Sequence, residues 1–166
     1  MMGKAHAFGG VSIAMMATYM FYSKDIGPIL INGSLGMTGA LLPDIDHNQS
    51  SIRNSSIILK HIKVKNEARM TIWHSIFPVV FFFVLSAAIS FIYSFQWGLF
   101  IYCFAIGYGT HLIQDAFTIK GIPLLYPISD KLYSIGDLTT GSSKEFFVTG
   151  IILVAYVFSC FMVQLL

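Results

Sequence analysis

Leu41-Leu42-Pro43-Asp44-Ile45-Asp46-His47 is the stretch whose reading decides the fold. It closes an uncharged, glycine-rich run, residues 26–42, and then sets two carboxylates and an imidazole side by side. The run holds Gly27, Gly33, Gly36 and Gly39 beside Asn32, Ser34 and Thr38. Small residues at that density let helix backbones approach closely, so the run reads as a helix packed on neighbours rather than one facing lipid. Pro43 disfavours helix at the residue before it and ends the run. The face to which this helix delivers Asp44 sets the topology of everything else.

Of 166 residues, 55% are hydrophobic and 11% charged, where soluble domains carry about 25% charged. Mean hydropathy is +0.72. The composition predicts an all-α integral membrane protein: a compact bundle of about five transmembrane or membrane-embedded helices. The other apolar runs are residues 5–22, 72–95, 97–119 and 146–166, and Asp115 is the one formal charge within them. The first run follows Lys4 as a signal peptide would, but residues 19–23 lack a small-x-small cleavage pattern, so it reads as a retained helix. Residues 56–70, in the basic loop, read as an amphipathic helix at headgroup level. No repeat or flexible linker interrupts the chain, which predicts a single domain over residues 1–166. The net charge of +2 gives no reason to invoke nucleic acid. Cys103 and Cys160 lie inside apolar runs and read as small packed residues.

Five crossings make a parity test. The N-terminus and the loops 44–71 and 120–145 fall on one side; the Ser23-Lys24-Asp25 turn, Gln96 and the C-terminus fall on the other. His6, Asp44, Asp46, His47, His74, His111 and Asp115 then share one face. If residues 26–42 failed to cross, His6 would sit opposite Asp44, although a deep re-entrant hairpin would also keep them together. The same side carries Lys4, Arg53, Lys60, Lys63, Lys65, Arg69, Lys120, Lys131 and Lys144; Lys24 alone lies opposite. The positive-inside bias puts the shared face in the cytoplasm.

The shared residues predict one metal site. His111 and Asp115 are one turn apart on one helix face, so both can hold an ion, or the carboxylate can orient the imidazole. Asp44 and His47 can be presented together from a turn, which leaves Asp46 to bridge a second ion. A carboxylate inside a membrane helix costs at least ~2.5 kcal/mol and needs a partner, for which a metal or His is the natural candidate for Asp115. Imidazole plus carboxylate suits Zn²⁺ first, then Mn²⁺ or Fe. Each piece alone has a plainer use: His6 as an interfacial anchor, Asp44 and Asp46 as helix caps, His111–Asp115 as a structural pair. His61, among Lys60 and Lys63, reads as solvated.

Gly39 to His47, then His74-Ser75, then His111-Leu112-Ile113-Gln114-Asp115-Ala116-Phe117-Thr118 with the loop from Gly121 to Pro127, resemble the YdjM family. Its members are bacterial inner-membrane proteins described as metal-dependent hydrolases. The order of His and Asp is also remotely similar to zinc-dependent phospholipase C and P1 nuclease. The resemblance implies that His6, Asp44, Asp46, His47, His74, His111 and Asp115 are metal ligands or their close supports. Met70 and Trp73 stand where the family carries Arg and Thr, Arg69 is one residue off, and Ile119 replaces a common Pro.

The expected activity is hydrolysis of a phosphoester in a lipid or lipid-linked substrate at the cytoplasmic membrane face, with Asp44, Asp46 and His74 as catalytic candidates. Arg53, Lys60, Arg69, Ser75 and Thr118 are the substrate-binding candidates, and membrane lipids are the expected partners. The loop 121–127, with its glycine and two prolines, is expected to wall the site. Two other readings remain. One is a non-enzymatic membrane protein with a structural metal. The other is an ion transporter, which would need polar groups continuing to the far face; Thr18, Asn32 and Ser94 are scattered and uncharged.

Overall fold

The computed structural model describes residues 3–46 and 72–164. Within them are five α-helices: α1 (Gly3–Phe21), α2 (Ile26–Leu41), α3 (Ile76–Ile92), α4 (Phe95–Ala116) and α5 (Ser143–Gln164). No strand occurs among the described residues, so the all-α expectation holds. Short 3-10 turns, Leu42–Asp46 and Ile72–His74, extend α2 and precede α3. The expected amphipathic helix over residues 56–70 lies outside the described residues.

The small residues of α2 act as the sequence suggests. A Cβ added at Gly36 would lie 2.4 Å from the Ala14 Cβ and 2.4 Å from the Gly10 carbonyl oxygen. One added at Gly107 would lie 2.0 Å from the Gly36 carbonyl. Backbones of α1, α2 and α4 therefore meet at Gly10, Gly36 and Gly107, and any side chain there would push them apart. α4 is the central helix, packed on α1, α2 and α3. Its junction with α3 is aromatic and aliphatic: Phe82 meets Phe104 edge-on at 4.8 Å, and Val79, Tyr108, Leu112 and Ile122 form a buried cluster. Ser86 Oγ donates to the Gly98 carbonyl at 2.8 Å and ties the far ends of α3 and α4 together. α5 packs against α1.

The boundaries of α3 and α4 differ from the expected runs, each for a physical reason. The run 72–95 does not begin as helix. Residues Ile72–His74 form a 3-10 turn, and α3 starts at Ile76, so that Pro78 falls in its first turn, where a missing N–H costs nothing. The Ile76 N–H is satisfied instead by the Leu124 carbonyl at 2.9 Å. The run 97–119 is helical only to Ala116, where Thr118 folds back: its N–H and hydroxyl both bond the Asp115 carbonyl, at 3.0 and 2.7 Å. In the loop after it, Ile122 and Tyr133 exchange two bonds at 2.9 and 2.8 Å, while the Leu138 N–H donates to the Phe117 carbonyl at 3.1 Å and the Leu138 carbonyl accepts from the Ile119 N–H at 3.0 Å. Gly121 adopts a φ of +65°, and a Cβ there would meet the Tyr133 carbonyl at 2.5 Å.

By length and composition, one helical stretch among the described residues, Ile26–Ile45, is suited to crossing a bilayer. The 17 residues of Ile76–Ile92 are apolar but short: at 1.5 Å per residue they reach about 25 Å, against a hydrocarbon core of about 30 Å.

Candidate metal centre

Two helices and two turns bring five of the seven expected ligands to one point. His6 stands on the first turns of α1. Asp44 sits in the turn that Pro43 imposes after α2. His74 ends the turn before α3, and His111 and Asp115 face inward from the last turns of α4. The approach at Gly36 makes this possible, because it sets the ends of α1, α2 and α4 within side-chain reach. His6, His74 and His111 are fully buried, Asp115 is 1% exposed and Asp44 is 19% exposed. Potential ligand atoms of His6, Asp44 and His111 lie within 4.8 Å of one another, as do those of His74, His111 and Asp115. The His6 and His111 rings stack at 3.9 Å, and His74 meets His111 edge-on at 5.4 Å.

Hydrogen bonding decides which ring nitrogens face inward. His6 Nδ1 lies 2.7 Å from Gln114 Oε1. The Gln114 amide nitrogen donates to the Ala5 carbonyl at 3.2 Å, so the oxygen must be the atom facing His6. His111 Nδ1 lies 2.7 Å from the Ala40 carbonyl. Both partners only accept, so both Nδ1 atoms carry the proton and donate. In the neutral imidazole, each Nε2 then presents a lone pair to the interior. Neither His6 Nε2 nor His111 Nε2 has a hydrogen-bond partner among the described residues.

Those two nitrogens face carboxylates. His6 Nε2 is 3.4 Å from Asp115 Oδ1, and His111 Nε2 is 3.6 Å from Asp115 Oδ2 and 3.8 Å from Asp44 Oδ1. His74 Nε2 is 3.8 Å from the same Asp44 oxygen. Charge-assisted hydrogen bonds from a protonated His would be about 2.7–2.9 Å. Two atoms bound to one ion at about 2.0–2.2 Å in a tetrahedral site lie roughly 3.3–3.6 Å apart. The two separations to Asp115, 3.4 and 3.6 Å, match the second figure, and the two to Asp44, both 3.8 Å, are slightly longer. Lone pairs set against carboxylates repel unless a cation lies between them, so the donor set fits a divalent metal. It is three imidazoles and two carboxylates with no thiolate, as suits Zn²⁺, Mn²⁺ or Fe.

The remaining candidates divide. Asp46 closes the Leu42–Asp46 turn, while His47, Arg53, Lys60, His61 and Arg69 lie outside the described residues. Ser75 is buried and its hydroxyl donates to the Ile72 carbonyl at 2.7 Å. Thr118 is buried with its hydroxyl on Asp115's carbonyl, and its own carbonyl accepts from Ser134 Oγ at 2.8 Å. Both hydroxyls thus brace the turns that carry His74 and Asp115. The loop expected as a wall packs against the same elements: Ile122 and Leu124 join the cluster of Tyr108 and Leu112, with Leu42 against it.

Sequence reasoning missed three supports. Gln114 orients His6 from one residue before Asp115, and its polarity in an apolar run was the available signal. Tyr108, fully buried, donates its hydroxyl to the Trp73 carbonyl at 2.6 Å and so holds the residue before His74. Glu145, assigned to a polar loop, is buried at the start of α5 and accepts from the Gly141 N–H. By contrast, Lys144 pairs with Asp137 in full solvent and holds that carboxyl below its ordinary range.

A Bacillus subtilis (strain 168) protein described as the uncharacterized protein YvsG is 36% identical over 146 residues, covering 87% of this chain and 85% of that protein. No solved structure matches the chain. The model of the YdjM inner membrane protein family matches residues 1–165, and the chain belongs to that family.

Proposed function

We propose that the chain is a single-domain, multi-pass membrane hydrolase that cleaves a phosphoester in a lipid or lipid-linked substrate at the cytoplasmic face of the inner membrane, using a divalent metal. One observation carries the proposal: the Nδ1 atoms of His6 and His111 are both committed to carbonyl acceptors, so both Nε2 lone pairs converge on Asp115. Embedding in a bilayer is supported by the family and by large apolar side chains left bare on the helices, such as Phe81, Phe91 and Val154. His6 and Asp44 meet, so the start of α1 and the end of α2 lie at one end of the bundle, as a crossing or a deep hairpin requires.

His6, His111 and Asp115 would hold the metal, with Asp44 and His74 completing the set. Bound there, a divalent metal supplies a water acidified towards a pKa of about 7 and a Lewis acid for the phosphoryl oxygen. Gln114 and the Ala40 carbonyl keep the two imidazoles in the ligating tautomer. Asp44 is the least enclosed of the five and stands at the rim, where its second oxygen can accept a proton from an attacking water. Asp46 closes the turn that carries Asp44 and is a further candidate for the metal or the general base; Arg53, Lys60 and Arg69 belong to the segment that follows, placed by sequence to draw anionic head groups towards this rim.

The burial of three imidazoles and Asp115 favours a second reading, a structural metal without catalysis. The two readings separate on protein purified in detergent without chelators. The hydrolase reading expects stoichiometric transition metal and turnover of lipid phosphates; Asp44→Asn then keeps fold and metal but loses turnover. A structural site expects metal, no turnover by the wild type, and loss of expression together with metal in His111→Ala. Wild-type protein free of transition metal would end both.

A further inference from the structure

The loop between α4 and α5, residues 117–142, carries large aliphatic side chains on its outer side. Ile128 is 77% exposed and Ile135 68%, and Ile119, Leu125 and Leu132 are bare as well. They are held in place rather than carried on a slack tether. Ile122 and Tyr133 exchange two backbone bonds, and the Ile135 N–H donates to the Ala116 carbonyl at 2.9 Å. Ser134 Oγ donates to the Thr118 carbonyl at 2.8 Å. The same frame turns Ile122 and Leu138 inward. Lys120 and Lys131 stand exposed among the bare side chains and outnumber the exposed Asp130, while Asp137 is paired with Lys144. Tyr126 and Tyr133 are half-buried in the same loop, with Lys131 Nζ 5.3 Å from the centre of the Tyr133 ring.

We infer that this loop lies in the head-group layer of the bilayer, its aliphatic side chains dipped towards the acyl chains and its lysines on lipid phosphates. A fixed apolar patch rimmed by polar residues marks a surface made to be covered. Tyrosines, and lysines with apolar stems, are the residues that suit the boundary between hydrocarbon and water. Lipid is also the medium that adjoins the loop at both ends. The bare apolar surface of the helices runs into it through Ile113 and Phe117 where α4 closes, and through Phe146 and Phe147 where α5 opens. The chain belongs to an inner membrane family, so those helices face lipid. A second copy packed on the same patch would instead set Lys120 and Lys131 against their own counterparts. The loop fixes the level of the metal site as well. The Leu124 carbonyl holds the start of α3 just after His74, and Leu42, beside Asp44, packs on the cluster that contains Ile122. The rim at Asp44 therefore opens among lipid head groups rather than into bulk water. The inference needs the membrane but not the hydrolase reading.

Two measurements on the full chain in phospholipid nanodiscs test it. In a Cys103→Ala, Cys160→Ala background, a nitroxide is attached at Ile128→Cys or Ile135→Cys, with Thr140→Cys as the comparison, an exposed polar position of the same loop. Power saturation should show oxygen colliding more than a water-soluble nickel chelate at 128 and 135, and the order should reverse at 140. Nickel access at 128 and 135 as high as at 140 overturns the inference. Exclusion of both relaxants there, the sign of burial against a second copy or another protein, overturns it too. The second measurement leaves the loop untouched. Trp97→Phe makes Trp73, which precedes His74, the sole tryptophan. Lipids brominated next to the ester should quench its fluorescence more than lipids brominated near the terminal methyl. Equal or absent quenching overturns the placing of the site's rim at head-group level. Neither measurement reads turnover, so an inactive protein that passes both upholds the inference and removes only the hydrolase reading.

Discussion

Two buried polar groups lie on helices of the same three-helix junction, and they differ in kind. Asn32, on α2, is fully buried, and neither its amide nitrogen nor its oxygen has a hydrogen-bond partner among the described residues. His111, on α4, is also fully buried with an unbonded nitrogen. Around His111 two carboxylates and two further imidazoles converge, and the ring is clamped from behind by the Ala40 carbonyl. An orphaned atom alone therefore says little. Several orphaned atoms aimed at one point, each held from behind in the ligating form, describe a place for a cation.

His111→Ala breaks the comparison most severely. It removes the atom shared by both groups of potential ligands and leaves Asp115 and Asp44 with less to offset their charge. Stripping one partner from a buried charged set costs about 3–5 kcal/mol. The expected result is loss of bound metal by elemental analysis and a thermal midpoint lower than that of wild type in the same detergent. A variant as stable as wild type would show that the carboxylates do not depend on this imidazole.

Chelation comes next. A metal held at a hundred times its dissociation constant stabilises by about 2.7 kcal/mol, so a chelator should lower the wild-type midpoint and excess Zn²⁺ should restore it. His111→Ala should not respond to either treatment. Gln114→Leu sharpens the contrast further, since it keeps every ligand and removes the clamp on His6 together with the bond to the Ala5 carbonyl. Losing such a partner weakens metal binding about 10–100-fold, and the effect is read by competition with a fluorescent zinc chelator. An unchanged affinity would mean that His6 holds its orientation by stacking on His111 alone.

Much of this site was legible in the chain, for reasons that also explain what was not. His111 and Asp115 share a helix face by spacing alone, and Pro43 announces the turn that carries Asp44. The glycines of α2 announce close packing. What they pack against is a matter of register between helices distant in sequence, so the union of Gly36 with Gly107, and of His6 with Gln114 across 108 positions, left no local trace. The start of α3 was misplaced by four residues because the satisfying acceptor for Ile76, the Leu124 carbonyl, comes from a loop far along the chain. Glu145 looked like the last residue of a polar loop because nothing nearby shows that α5 begins at Ser143 and turns that carboxylate inward.

Asn32→Leu is the smallest expected effect and the control for all the others. Leu keeps the branched heavy-atom skeleton of Asn, with bulkier methyl ends, and brings no polar atom, so the change removes an amide that pairs with nothing among the described residues. Replacing an unsatisfied buried polar group by an apolar one of similar shape is close to neutral or stabilising, by about 1 kcal/mol. The thermal midpoint should stay level or rise slightly, and metal content should remain that of wild type, since no ligand and no clamp is touched. If Asn32→Leu instead lost metal as His111→Ala does, the two buried groups would belong to one coupled network. The distinction between a lone orphan and a converging set would then fail in this bundle.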